Sequence, residues 1–202
     1  LLGEFQRLGS SIISATFNRI IIDTNKTSLL ESVEYVDFVI ATIMKKMSVS
    51  GNGADFEHLS LEKNRFYANY ILLDEHNYGG LLFENREPQN EDESQLAFDM
   101  ELPQEDGSIE SVTIVPTVES GWNIVHYLPN EMAQEYFRLI ISRFSKDIYK
   151  KQIALREKGA AEDSEVSFNK LLLDYKKLVI TKHFPNDLTT FVDELDKESK
   201  GP

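Results

Sequence analysis

The chain has 202 residues, of which 41% are hydrophobic and 27% charged, with a net charge of −13 and no cysteine. That much apolar material supports one large or two small domains with a true core, and excludes a wholly disordered chain. The missing cysteines exclude disulfides and thiolate metal sites within this segment. No apolar run approaches the roughly 20 residues of a membrane helix, since candidates such as Leu171 to Ile180 carry Asp174, Lys176 and Lys177 inside them.

The charge is uneven. Residues 1–130 hold 21 acids and 8 bases, whereas residues 131–202 hold 13 of each. Eleven of the acids lie between Glu84 and Glu119 against a single base, Arg86, a net −10 for that stretch. The opening, Leu1-Leu2 with Phe5 and Leu8, keeps helical spacing and carries no initiator Met, basic n-region or cleavage site. The expectation is a piece of a longer protein.

In chain order, the apolar spacing predicts a helix over 1–13 and a buried strand over 15–22, stopped by the turn-forming Asp23-Thr24-Asn25-Lys26. Thr27 or Ser28 can cap the next helix, which runs through Leu30, Val36, Phe38, Val39, Ile43 and Met44. So dense an apolar set predicts packing on two sides. Residues 48–55 read as a loop and 56–61 as a short strand. The aromatic run 66–74 reads as a strand ending in a glycine turn at Asn77-Tyr78-Gly79-Gly80. The acidic stretch is expected to be disordered apart from a strand over 112–118. From Asn130 to Lys158 one long amphipathic helix is predicted, with Met132, Phe137, Ile140, Ile141, Phe144, Ile148 and Ile153 inward and Gly159 as its stop. A linker over 159–164 and two helices, 166–182 and 186–195, follow.

Nucleotidyl transfer uses two divalent metals about 3.5 to 4 Å apart, bridged by carboxylates. Family B DNA polymerases carry such acids on a strand, a tight Asp-Thr-Asp turn and a return segment. Here helix and strand precede Asp23-Thr24-Asn25, which keeps the first acid and has an amide in place of the second. An Asn amide is neutral and a poor bridge between two Mg²⁺ ions. Read alone, the turn is an ordinary one, since Asp and Asn tolerate left-handed backbone and bond their own main chain.

Further phrases give the turn its meaning: Leu2-Gly3-Glu4-Phe5-Gln6-Arg7-Leu8-Gly9-Ser10-Ser11, Phe17-Asn18-Arg19-Ile20-Ile21, Asn77-Tyr78-Gly79-Gly80 and Gly121-Trp122-Asn123-Ile124. With them the chain resembles the C-terminal, degenerate polymerase half of the large subunit of eukaryotic DNA polymerase epsilon, over nearly its whole length. The resemblance implies an α+β fold: a degenerate family B palm, a mixed sheet with packed helices, over 1–83, an acidic, disordered insertion over 84–119, and a helical thumb-like region over 120–202. It implies a vestigial metal turn at Asp23 and Asn25, no catalytic residue, no cofactor in this segment, and a structural role tethering the leading-strand polymerase to the replicative helicase in the nucleus. The implied partners are the second subunit, the Cdc45–Mcm2-7–GINS helicase and the remainder of the large subunit. Family members bind Mg, zinc and an iron–sulfur cluster elsewhere in the chain, and the parent is a DNA polymerase with a 3′-5′ exonuclease.

Two rival readings remain. Asp23 could serve an active nucleotidyl transferase if the missing acids came from absent sequence. The basic helix 138–158, through Arg143, Lys146 and Lys150, could meet duplex phosphates or an acidic partner, although charge runs are more often solvated faces. Trp122 and Tyr127 read as a core plug before an interface anchor. His58, His76, His126 and His183 show no metal spacing, and Ser10-Ser11 near Glu4 offers no readable nucleophile–base pair.

Overall fold

A computed structural model describes residues 1–49, 60–103, 109–157 and 165–199. They form two compact units, Leu1–Phe66 and Tyr67–Pro202. Of the loop expected at 48–55, Ser48 and Val49 are helical instead, and the rest, most of the strand expected at 56–61 and the stop at Gly159 lie outside the described residues; Ser60 and Leu61 carry no strand.

In the first unit, α1 (Leu2–Arg7) is much shorter than the spacing suggested. Gly9 ends it: at φ 99° it takes the left-handed backbone that suits glycine, and the N–H groups of Gly9 and Ser10 return to the carbonyls of Gln6 and Phe5, both at 3.0 Å. This paired closure satisfies carbonyls the helix leaves open. The expected single strand is a hairpin, β1 (Ser11–Ala15) and β2 (Ile20–Asp23), antiparallel and bulged between Ile12 and Ser14. The Thr16 N–H bonds the Arg19 carbonyl at 2.8 Å and closes the turn around Phe17 and Asn18. Helix α2 (Leu29–Val49) begins where Ser28 Oγ accepts the Glu31 N–H at 3.2 Å. Its Val39 and Ile43, buried with Phe5, form the core of this unit, flanked by Ile12, Ile20, Ile22 and Tyr35. Among the described residues of α2, Val39 and Ile43 are buried in depth while Phe38 is 58% exposed.

The second unit is built on a four-stranded sheet, β3 (Tyr67–Asp74), β4 (Asn77–Asn85), β5 (Phe98–Pro103) and β6 (Ile109–Trp122), in the order β3-β4-β6-β5. Among the described residues every pairing in both sheets is antiparallel, which corrects the expected mixed sheet. Asn77 to Gly80 is strand, and the turn falls earlier, at Glu75-His76. The glycines there answer a need for space. A Cβ on Gly80 would stand 2.3 Å from the Asn69 carbonyl oxygen, and one on Gly79 would stand 2.7 Å from the Trp122 indole nitrogen.

The acidic stretch is mostly sheet. Its average composition hides a period of two: Phe98 and Met100, paired with Ile114 and Val112, point to the core, while Asp99 and Glu101, paired with Thr113 and Ser111, point away. Between β4 and β5, Arg86 and the short helix α3 (Glu91–Ser94) with its Asn90 cap hold the acids in place. The expected boundaries at 83/84 and 119/120 therefore fall inside one sheet.

After a 3-10 turn (Asn123–Tyr127), α4 (Glu131–Glu157) crosses the sheet, capped by Asn130 Oδ1 on the Ala133 N–H at 2.8 Å. Tyr149 and Ile153 pack on Leu81, Leu96, Phe83 and Val118 of the sheet layer. The other side, through Ile148 and Leu155, packs on Phe168 and Leu172 of α5 (Glu165–Leu178). Of the predicted inward set, Met132 is 42% exposed instead. The last two helices are not separated. α5 passes through a π-helical turn, Val179–His183, straight into α6 (Phe184–Ser199), and the Phe184 N–H reaches back five residues to the Val179 carbonyl. That wider turn carries the helix to Pro185, which has no N–H to give.

Candidate functional site

Asp23 closes β2 at the surface, and its Oδ1 accepts the Asn25 N–H at 2.9 Å. Asn25 has φ 55°, the left-handed region that Asn tolerates. Thr24 Oγ1 lies 3.2 Å from Ser32 Oγ on α2, and Lys26 Nζ sits 5.2 Å from the centre of the Tyr35 ring. The turn is thus tied into the start of α2, and one Asp23 oxygen is already engaged by backbone. Among the described residues there is no group of three or more His, Cys, Asp or Glu side chains placed to hold a metal ion.

The basic candidates lie on α4 at spacings of three and four residues, on one helix face. Arg143 pairs with Asp187 of α6 at 3.2 Å, and Lys146 reaches Asp92 of α3 at 3.7 Å, while Lys150 is exposed. Asp92 belongs to the acidic stretch, so part of that stretch folds against the basic face. Of the remaining bases on this helix, Lys151 lies over the Tyr175 ring at 5.2 Å, and Arg138 is exposed. Lys158 lies outside the described residues.

Other expectations resolve one by one. Trp122 is buried edge-to-face against Phe137, ring centres 5.7 Å apart, whereas Tyr127 is 87% exposed. His76, His126 and His183 are exposed and far apart in the chain, and His58 is outside the described residues. Ser10 is buried and shares a 2.8 Å hydrogen bond with the Tyr35 hydroxyl, which donates to the Leu8 carbonyl. Glu4 bonds Lys46 and Arg7, with no hydroxyl among those partners, and the Lys46 bond is the main reason its carboxyl sits below the usual range.

Two polar groupings were not anticipated. Arg86 grips Glu93 with both terminal nitrogens, at 2.8 and 3.0 Å, and Glu84 with Nε at 3.0 Å. The Arg86 bonds come first among the causes that lower Glu93 to about 2, and Arg86 is raised in turn. Its standing as the lone base among eleven acids was the available clue. The second grouping, Tyr67, Tyr70, Tyr78 and Glu119, lies on the sheet face opposite α4. The Tyr67 hydroxyl donates to Glu119 Oε2, and the three rings follow one another with centres 4.8 and 5.9 Å apart. Recognising it needs the pairing of β3, β4 and β6.

Residues 1–81 match the model of a domain of unknown function, DUF1744. Over 200 residues, 99% of its length, the chain is 28% identical to a DNA polymerase epsilon catalytic subunit of Arabidopsis thaliana. The chain is homologous to a C-terminal region of the DNA polymerase epsilon large subunit. A second polymerase epsilon catalytic subunit of the same plant matches 91% of the chain at 26% identity, and that of Dictyostelium discoideum matches 42% at 34%. The match covers only 8%, 7% and 3% of these three proteins, in the order Arabidopsis first and second, then Dictyostelium, so the chain spans less than a tenth of their length. No described helix is long and apolar enough to cross a membrane.

Proposed function

We propose that this chain is part of the non-catalytic, C-terminal polymerase module of a DNA polymerase epsilon large subunit, with a structural role in chromosomal DNA replication in the nucleus. On this reading the first unit derives from a polymerase palm and the helices α4 to α6 from a thumb, and the module links the leading-strand polymerase to the replicative helicase and to the second subunit. The observation that carries the proposal is the chain-long homology combined with the turn that ends β2. Asp23 stands there with Asn25 in place of a second acid, and its Oδ1 serves the backbone of its own turn. A single carboxylate does not assemble a two-metal site by itself. The homology also supports a parent that is a DNA polymerase; on this reading its metal and cluster chemistry lies outside this segment.

The active-transferase reading has no specific observation in its favour, and the basic face is partly matched by the chain's own Asp187 and Asp92. Primer extension by the longer C-terminal half, with an Asp23→Ala control, tests the proposal. The expected result is no metal-dependent incorporation in either protein. Incorporation that disappears in the variant would overturn it.

A further inference from the structure

Helix α5 is apolar on several sides, yet only one of them is covered. Phe168 and Leu172, with Val179 just beyond, are buried, and the first two pack on Ile148 and Leu155 of α4. Leu171, Leu173, Leu178 and Ile180 are all exposed. A helix that is apolar all round belongs in a core, packed on more than one side. The two exposed sides differ in charge. Leu173 and Ile180, 50% and 54% exposed, alternate with Lys170, Lys176 and Lys177 at spacings of three and four residues, which puts the five on one face. Leu171 and Leu178 share the other side with Asp174. Among the described residues, none of these three lysines makes a salt bridge.

We infer that the face of Leu173 and Ile180 docks an acidic amphipathic helix of a partner protein, one whose apolar stripe is flanked by glutamates or aspartates. Leu173 and Ile180 stand two helical turns apart, the interval at which a helix laid along α5 repeats its own apolar stripe. The lysines select the charge. Their methylene stems widen the apolar strip while the ammonium groups reach its rim, where carboxylates of the partner pair with them. The chain as a whole nets −13, so three lysines gathered on one face run against the general field and mark a local site. Nucleic acid fits poorly, because leucine and isoleucine hold the middle of the face and no aromatic ring stands among the five residues to stack a base. The inference stands apart from the structural role proposed above, since it concerns α5 and its continuation alone and makes no use of the metal turn.

The test is fluorescence anisotropy with the 202-residue chain and a short fluorescein-labelled helical peptide of leucine heptads with glutamate at the flanking positions. Its lysine counterpart, with the same leucines, and a DNA duplex are the comparisons. The glutamate peptide should bind, and should weaken as salt rises. Lys177→Glu should reduce affinity about fivefold, and Leu173→Ser by a similar factor. Lys45→Glu on α2, which changes the net charge equally, and Leu171→Ser on the other side of α5 should leave it unchanged. If Leu173→Ser loses its circular dichroism signal, Lys177→Glu against Lys45→Glu decides the matter. Failure of the glutamate peptide to bind, equal effects of the two lysine substitutions, or tighter binding of the lysine peptide or the duplex would overturn the inference. A dimer in sedimentation that Leu173→Ser dissociates would overturn it too, by assigning the face to a second copy of the chain.

Discussion

At the scale of single residues, Asn25 and Glu93 show how polar side chains hold this backbone. Asn25 sits at φ 55° and donates its N–H to Asp23. Left-handed backbone costs an ordinary residue about 1–2 kcal/mol. Asn25→Ala is accordingly expected to lose about 1 kcal/mol, with Asn25→Gly near neutral, as read from urea midpoints. Glu93 falls from the usual 4.5 to about 2 because Arg86, first, and then the Gln89 N–H, bond its carboxylate. Its folded value lies below its unfolded one, so the stabilisation is complete above about pH 4.5 and is lost as pH falls toward 2. Glu93→Gln should weaken the chain at neutral pH and flatten its acid titration between those values. An unchanged acid profile would remove Glu93 from the account.

At the scale of elements, the glycine pair of β4 shows why a turn was expected where a strand occurs. Gly-Gly is a common turn signal, yet Gly79 and Gly80 are needed because β3 and the Trp122 indole press against the strand. Gly80→Ala must push β3 and β4 apart, since the obstacle is a backbone oxygen, and overpacking of this kind costs about 1–3 kcal/mol. Gly3 in α1 has nothing within 4 Å of its would-be Cβ, so Gly3→Ala is the matched control, expected to stabilise by up to about 1 kcal/mol. Equal responses in a thermal melt would refute the steric explanation. The short α1 teaches the converse. Apolar residues at Ile12 and Ile13 continue a helical spacing, but Gly9 closes the helix and the same residues alternate across a strand.

At the scale of the molecule, each unit has its own core, Phe5 with Val39 and Ile43 in one, and Leu81, Tyr149 and Ile148 among others in the second. Trp122, the sole tryptophan, belongs to the second unit and reports on it by fluorescence. Ile148→Ala, from a site 1% exposed, should cost about 2–5 kcal/mol in the tryptophan-detected transition. The equivalent loss in Ile43→Ala should appear in the helical circular dichroism of α2. A tryptophan transition untouched by Ile148→Ala would contradict the packing of α4 described above.

The sequence by itself determined the α+β class, the polymerase epsilon resemblance, the long α4, the β3 run and the Asp23-Thr24-Asn25 turn with its single acid. All of these rest on local spacing or on short phrases. Only the tertiary structure decided that the acidic stretch is sheet, that Arg143 and Lys146 meet acids of their own chain, and that tyrosines and carboxylates share one sheet face. The Tyr67–Glu119 contact spans 52 residues and the Asn69–Ser145 contact 76. Which strand lies beside which sets those meetings, and pairing between distant segments depends on the whole core, so composition averaged along the chain could not reveal it.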